Sequence, residues 1–187
     1  MPAAAATPPS KHHAAYENWR PPVVGVALLV PVGTDCLAVA DLQGTLMLPA
    51  GAVHTGQAPE DAAQHVLSGP ACGMQFVRRV AVDWVQMRRM DVITHVLAAA
   101  PTTRDMVERL VYRDPRATIR VMPTLRLIDQ TWPTIQTRIL VGLQGLATGQ
   151  IACIEAGTVQ QQPCGSNRRG RSSGRSLHQR GMHWLQR

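Results

Sequence analysis

The sequence has few aromatic residues and no long uninterrupted apolar stretch. Aromatic side chains make up 4% of the 187 residues, and the apolar runs 23–32 and 92–100 contain Gly, Pro or His. A helix that crosses a membrane needs roughly 20 apolar residues in succession. The sequence therefore argues against a membrane protein. Residues 1–20 also lack a basic segment followed by an apolar one, so we expect no secretory signal and a cytoplasmic location.

Cysteine is also scarce, and its spacing is not that of a metal ribbon. The four cysteines, Cys36, Cys72, Cys153 and Cys164, are widely separated and form no C-x-x-C pair. This pattern argues against a disulfide-rich scaffold and against a zinc ribbon. We therefore expect reduced thiols.

Acidic residues are absent from the C-terminal part of the chain. The sequence has 19 Lys and Arg against 12 Asp and Glu, and residues 158–187 contain six Arg and no acid. That segment is rich in Gly, Ser and Gln and cannot bury enough apolar surface to fold. We predict a flexible leader over 1–20, one folded domain over 21–157 and a disordered Arg-rich tail over 158–187. The tail can attract nucleic acid, although a solvated extension is the interpretation that we favour.

The full sequence is 45% hydrophobic, and the part before the tail alternates strand and helix patterns. The patterns predict strands over 23–32, 36–40, 46–48, 75–85, 91–100 and 117–122. They predict a helix from Pro59 to Ser68-Gly69-Pro70, a short helix over 104–112 capped by Thr102 or Thr103, and a long helix from Thr131-Trp132-Pro133 to Gly149. This order of elements indicates an α/β fold in which helices flank a mixed sheet.

The segment 48–73, LPAGAVHTGQAPEDAAQHVLSGPACG, resembles the Nudix box, the loop–helix–loop signature G-x5-E-x7-R-E-U-x-E-E-x-G-U of the Nudix hydrolases. A strand pair precedes it, LPAG is similar to the family's LPGG, and TGQIACIEAG resembles the ending of many actinobacterial members. The resemblance covers about residues 22–157. It implies a Nudix-like α/β/α sandwich with a mixed β-sheet and is compatible with a homodimer.

The box departs from the family pattern where the family binds its metal. In active members, box glutamates hold the Mg²⁺ or Mn²⁺ that polarises a diphosphate, because such hard cations need oxygen ligands. Aligned from Gly51, the carboxylate positions carry Gln57, Val66, Gly69 and Pro70, and His65 stands at the arginine. No Asp or Glu occurs between Asp61 and Asp83. We therefore expect a degenerate box and no confidently assigned cofactor.

Other polar residues of this region are candidates for chemistry. His54 and His65 are candidate catalytic acid–base groups, and with Cys72 they form an alternative zinc set, although solvated histidines explain them as well. Arg78 is a candidate phosphate ligand, and Asp91 and His95 share a face of their strand unless a bulge intervenes. These three are candidate ligand-binding residues. Polar residues at a sheet edge are the alternative.

The sequence thus predicts a degenerate Nudix-fold protein that binds a nucleotide-like or other small ligand, or a protein partner, without Mg²⁺-dependent pyrophosphohydrolysis. Two alternatives stay open. One is an active or repurposed Nudix-type hydrolase of nucleoside-diphosphate-linked substrates. The other is a nucleic-acid-associated protein that acts through the Arg-rich tail.

Overall fold

The structure, a computed structural model, describes residues 21–69, 74–88 and 90–160. The predicted leader, Pro70, Cys72 and Cys164 lie outside these ranges. The strands are β1 (Val23–Leu29), β2 (Pro31–Val32), β3 (Cys36–Leu42), β4 (Thr45–Met47), β5 (Ala50–Ala52), β6 (Leu67–Ser68), β7 (Phe76–Gln86), β8 (Asp91–Ala99), β9 (Val111–Tyr112), β10 (Ala117–Pro123), β11 (Ala152–Glu155) and β12 (Thr158–Gln160). The helices are α1 (Pro59–Gln64), α2 (Arg104–Glu108), α3 (Thr124–Gln130) and α4 (Pro133–Thr148).

The largest sheet is mixed and has the strand order β12-β11-β7-β8-β1-β5. Strands β1 and β8 are parallel, as are β11 and β7, whereas the other neighbouring pairs are antiparallel. A smaller sheet has the order β10-β3-β2, with β4 also paired to β3, and β6 pairs with β9. The predicted mixed sheet with flanking helices is confirmed.

The core lies on both faces of the large sheet because successive side chains of a strand point to opposite sides. Val26 and Leu28 of β1 pack in one cluster with Ala62 and Ala63 of α1. The alternate residues of the same strand pack in a second cluster, which includes Ile139 of α4. Helices α1 and α4 therefore cover opposite faces, as the predicted α/β/α sandwich requires.

Several elements differ from the sequence prediction. The predicted strand 23–32 is split into β1 and β2, because Pro31 has no N–H to continue the ladder and β2 pairs with β3 instead. Helix α1 ends at Gln64, before the predicted stop. Helix α3 was not predicted. Strand β12 extends the folded part to Gln160, beyond the predicted boundary at 157.

Two further observations concern the cysteines and the lengths of the helices. Cys36 is a free thiol, whereas Cys153 is disulfide-bonded, so the expectation of reduced thiols is wrong at Cys153. Among the helices of the described ranges, none is both long and apolar enough to span a membrane.

Candidate functional site

The loop before α1 is closed by the side chain of Gln57. The backbone N–H of His54 donates to Gln57 Oε1 at 3.1 Å, and the backbone N–H of Gln57 donates to the His54 carbonyl at 3.0 Å. Gly56 between them has φ +79°, a conformation that favours glycine. The amide at the first carboxylate position of the box therefore holds the loop together.

His65 terminates α1. Its ring Nδ1 lies 2.8 Å from the carbonyl oxygen of Asp61, one helical turn earlier, and its backbone N–H donates to the Ala62 carbonyl at 3.1 Å. The side chains of His54 and His65 are both exposed, and no hydrogen bond joins them within the described part of the chain. Their predicted role as catalytic acid–base groups stays a prediction.

Val66, at the second carboxylate position, belongs to the hydrophobic core. It is 1% exposed and packs in the cluster that α1 shares with β1. The helix ends two residues before Val66, and directly after Val66 strand β6 pairs with β9 in a register that places Leu67 opposite Tyr112. The α1 helix is therefore one turn and a half long, too short to present several ligands on one face.

Gly69, at the third carboxylate position, has no room for a side chain. Its φ is +123°, and a Cβ atom there would overlap the carbonyl oxygen of Arg109. Any substitution at this position therefore requires the backbone near Arg109 to move.

Arg113 lies over the start of the box, a position that the sequence analysis did not single out. Its Nη1 is 3.2 Å from the place that a Cβ atom on Gly51 would occupy, and Val66 Cγ2 is 2.9 Å from the same point. The backbone N–H of Arg113 donates to the Val66 carbonyl at 3.3 Å. Tyr112 Oη accepts from the Ala50 N–H at 3.2 Å and donates to the Ala50 carbonyl at 2.8 Å. Segment 112–113 is thus fastened to β5.

The structure places His95 beside an ion pair on the α1 face of the sheet. Arg79 Nη2 of β7 lies 2.7 Å from Glu60 Oε1 of α1. Burial lowers the pKa of His95, the Arg79 charge lowers this pKa further, and the Glu60 charge opposes both. Burial is the largest effect on the pKa of Glu60 and acts to raise it, but the hydrogen bond from Arg79, the Glu60 backbone N–H and the charges of Arg79 and His95 together lower this pKa. His95 is therefore held neutral next to a charged pair.

We expect His95 to make the protein less stable in mild acid. Because its pKa is lowered from 6.5 in the folded state, the unfolded chain binds the proton first, and the free energy of unfolding falls as pH drops below about 6.5. Urea unfolding at several pH values between about 5 and 8 measures this slope. The His95→Gln variant should show a flatter profile in that window, and an unchanged profile would contradict the assignment.

The other two predicted ligand-binding residues do not join His95. Asp91 shares its face of β8 but lies about 13 Å away along the strand, at a rise of about 3.3 Å per residue. Arg78 lies on the opposite face, where Nη2 donates to the Leu146 carbonyl near the end of α4. Arg78 thereby satisfies a carbonyl of the last helical turn. Of the three, only His95 lies beside α1.

The α4 face contains a buried ion pair that the sequence analysis missed. Asp83 of β7 is 1% exposed, and its Oδ2 accepts from Arg138 Nε of α4 at 2.7 Å. Arg138 Nη2 also donates to Thr94 Oγ1 of β8 at 3.4 Å. The signal in the sequence is an acid within an apolar strand and an arginine on the apolar stripe of α4, because buried charges in proteins are paired.

A groove runs between β4, β10, α3 and the turn that leads into α4; we call it the β4–α3 groove. It consists of two adjoining cavities of about 350 and 390 Å³, which share Leu46 and Gln130. The first cavity is lined by Arg120 and Arg126, and the second by Trp132, which is 69% exposed. Arg120 pairs with Asp41, whereas Arg126 has no ion pair within the described ranges.

The architecture is shared with solved structures. The MutT protein from Methanosarcina mazei Go1 is 11% identical, with a TM-score of 0.51 over 70% of this chain and 96% of that one. A Nudix hydrolase from Nitrosomonas europaea is 10% identical, with a TM-score of 0.51 over 73% and 81%. The chain has the Nudix fold. No protein-family model and no curated protein matches the sequence, so the likeness concerns the fold.

Within this Nudix fold, the described box residues do not form a ligand set for Mg²⁺. Gln57 provides an amide, Val66 is buried, and Gly69 has no side chain. Over the described residues, no group of three or more His, Cys, Asp and Glu side chains lies close enough together to hold a metal ion. Mg²⁺ needs near-octahedral oxygen coordination, in which carboxylates neutralise the charge. Of the aligned box positions that the structure describes, Gln57, Val66 and Gly69 therefore offer no carboxylate to this metal.

Proposed function

We propose that this Nudix-fold protein binds a nucleotide-like or other small anionic ligand without Mg²⁺-dependent pyrophosphohydrolysis. The observation that carries the proposal is the burial of Val66 in the core at a position where metal-dependent members need a carboxylate. The occluded backbone at Gly69 supports the same conclusion. A protein without carboxylate ligands at the box loses metal-dependent hydrolysis but can keep the same fold, because fold and function are separable.

The side chains of the β4–α3 groove are suited to a ligand that has an aromatic ring and a negative charge. The exposed indole of Trp132 offers a surface on which a base can stack, and the unpaired guanidinium of Arg126 is suited to phosphate oxygens. The cavities of about 350 and 390 Å³ are in the size range of small-molecule sites. Strand β4 leads through Leu48 and Pro49 into β5, so the groove and the box lie at the two ends of one short segment.

Calorimetric titration of ADP-ribose into the purified full chain tests the proposal, together with an assay for phosphate release in Mg²⁺ and in Mn²⁺. We expect binding without release. Trp132→Ala should weaken binding about tenfold, because stacking on an aromatic ring contributes roughly 1–3 kcal/mol. Leu140→Ala is the matched control, since Leu140 is 52% exposed on α4 and does not line the groove. Metal-dependent turnover would overturn the proposal and support the hydrolase alternative.

The remaining expectations from the sequence stay predictions. These are a protein partner, a homodimer, a cytoplasmic location and nucleic-acid binding through the Arg-rich tail. The residues of this tail beyond Gln160 lie outside the described part of the chain. Deleting residues 161–187 and measuring salt-dependent binding to nucleic acid tests the last of them.

A further inference from the structure

The guanidinium of Arg113 lies beside Gly51 and Val66 of the box segment. Arg113 Nη1 and Val66 Cγ2 both come within 3.2 Å of the point where a side chain on Gly51 would begin. Glycine at position 51 therefore leaves the space that the guanidinium occupies. Any residue larger than glycine at position 51 would contact both the Arg113 guanidinium and the Val66 side chain too closely.

The position of Arg113 is determined by the backbone and not by an ion pair. Its N–H donates to the Val66 carbonyl, and the neighbouring Tyr112 is bonded to both backbone groups of Ala50. In the described parts of the chain, the guanidinium of Arg113 makes no hydrogen bond and no salt bridge. Its donors are therefore available to an anion from outside the chain.

Two carboxylates of this region, Asp114 and Glu60, are paired with other arginines. Asp114 accepts from Arg116 Nε at 3.0 Å and from Nη2 at 2.8 Å. These hydrogen bonds lower the pKa of Asp114 to about 2, so its charge is committed to Arg116 over the physiological range. Glu60 is paired with Arg79. The Arg113 charge also contributes to the low pKa of Asp114, but in the described part of the chain neither acid forms an ion pair with Arg113.

We propose that Arg113 binds the diphosphate of the ligand directly and without a metal ion, beside Gly51 and Val66 of the box segment. This inference rests on the proposed function and adds to it an anion site at the box, separate from Arg126 of the β4–α3 groove. A guanidinium presents parallel N–H donors that match two phosphate oxygens, and such charge-assisted bonds are stronger than neutral ones. No bond of the diphosphate is broken, since the guanidinium activates no water.

Calorimetric titration of inorganic pyrophosphate into the full chain, in EDTA and in Mg²⁺, tests the inference. We expect binding in EDTA that is undiminished relative to Mg²⁺, and a loss of about tenfold or more in Arg113→Gln, equivalent to roughly 1.4 kcal/mol. Arg104→Gln is the matched control, because Arg104 is an exposed arginine at the start of α2. A thermal melt of each variant establishes that it is folded.

The outcomes separate this inference from the function on which it rests. Pyrophosphate binding that requires Mg²⁺, or that is equal in Arg113→Gln and the unsubstituted protein, overturns the role of Arg113. If ADP-ribose binds with dependence on Trp132 while pyrophosphate does not bind, the inference fails and the proposed function stands. If neither probe binds, the proposed function itself fails. An Arg113→Lys variant with intermediate affinity would further support the guanidinium geometry.

Discussion

Replacing Val66 by glutamate is expected to destabilise the protein strongly rather than to create a metal ligand. Val66 is 1% exposed and packs among the apolar residues beneath α1, so the new carboxylate would be buried without a partner. An uncompensated buried charge costs several kcal/mol, compared with a total stability of about 5–15 kcal/mol for a typical domain. Urea unfolding of the variant measures the loss, and titration with Mg²⁺ measures any metal site.

The control for this prediction restores a different carboxylate of the box. Gln57→Glu keeps an oxygen that accepts from the His54 N–H, and the position is only half-buried. We therefore expect stability within about 0.5 kcal/mol of the unsubstituted protein. A folded Val66→Glu variant that binds Mg²⁺ would show that the core can open at this position. That result would contradict the burial of Val66 as the cause of the lost metal chemistry.

Replacing Arg138 by methionine is expected to have the second large effect. The substitution keeps most of the apolar stem but leaves the Asp83 carboxylate, which is 1% exposed, without its guanidinium. Removing one partner of a buried pair costs about 3–5 kcal/mol. Urea or thermal unfolding of the full chain measures this loss, and titration with ADP-ribose serves as a separate readout.

The double variant Asp83→Val/Arg138→Met tests the cause. If the loss arises from the unpaired charge, removing both charges should recover most of it, because apolar replacement of a buried pair is often neutral. The single variant Asp83→Val should be milder than Arg138→Met, since the Arg138 side chain is 21% exposed and can reach water. Equal losses in both single variants would indicate a packing effect instead.

Local signals in the sequence predicted the elements that depend on nearby residues. Pro59, followed by acidic residues in the first turn, marks the start of α1. Helix α4 begins at Pro133 and is capped by Gly149, as predicted. Thr103 caps α2 through its hydroxyl, which accepts from the Met106 N–H at 3.4 Å. These devices act within one helical turn, so a single sequence is enough to identify them.

The end of α1 could not be predicted in the same way. The apolar spacing continues through Val66 and Leu67, which is typical of a longer helix, but β9 pairs with this segment and draws it into β6. The partner strand comes from residues 111–112, far along the chain. Periodicity carries no information about such a partner, and tertiary pairing overrides local propensity.

In the candidate site, too, some features could be predicted from the sequence and others depend on tertiary contacts. The sequence by itself determined that no acid occurs between Asp61 and Asp83, and its resemblance to the Nudix box predicted Gln57, Val66 and Gly69 at the carboxylate positions. Only the tertiary structure decided that Arg113 lies over Gly51 and that His95 lies beside Glu60 and Arg79. Residues distant in sequence become neighbours through strand pairing and helix packing, and these long-range contacts arise only when the whole chain folds.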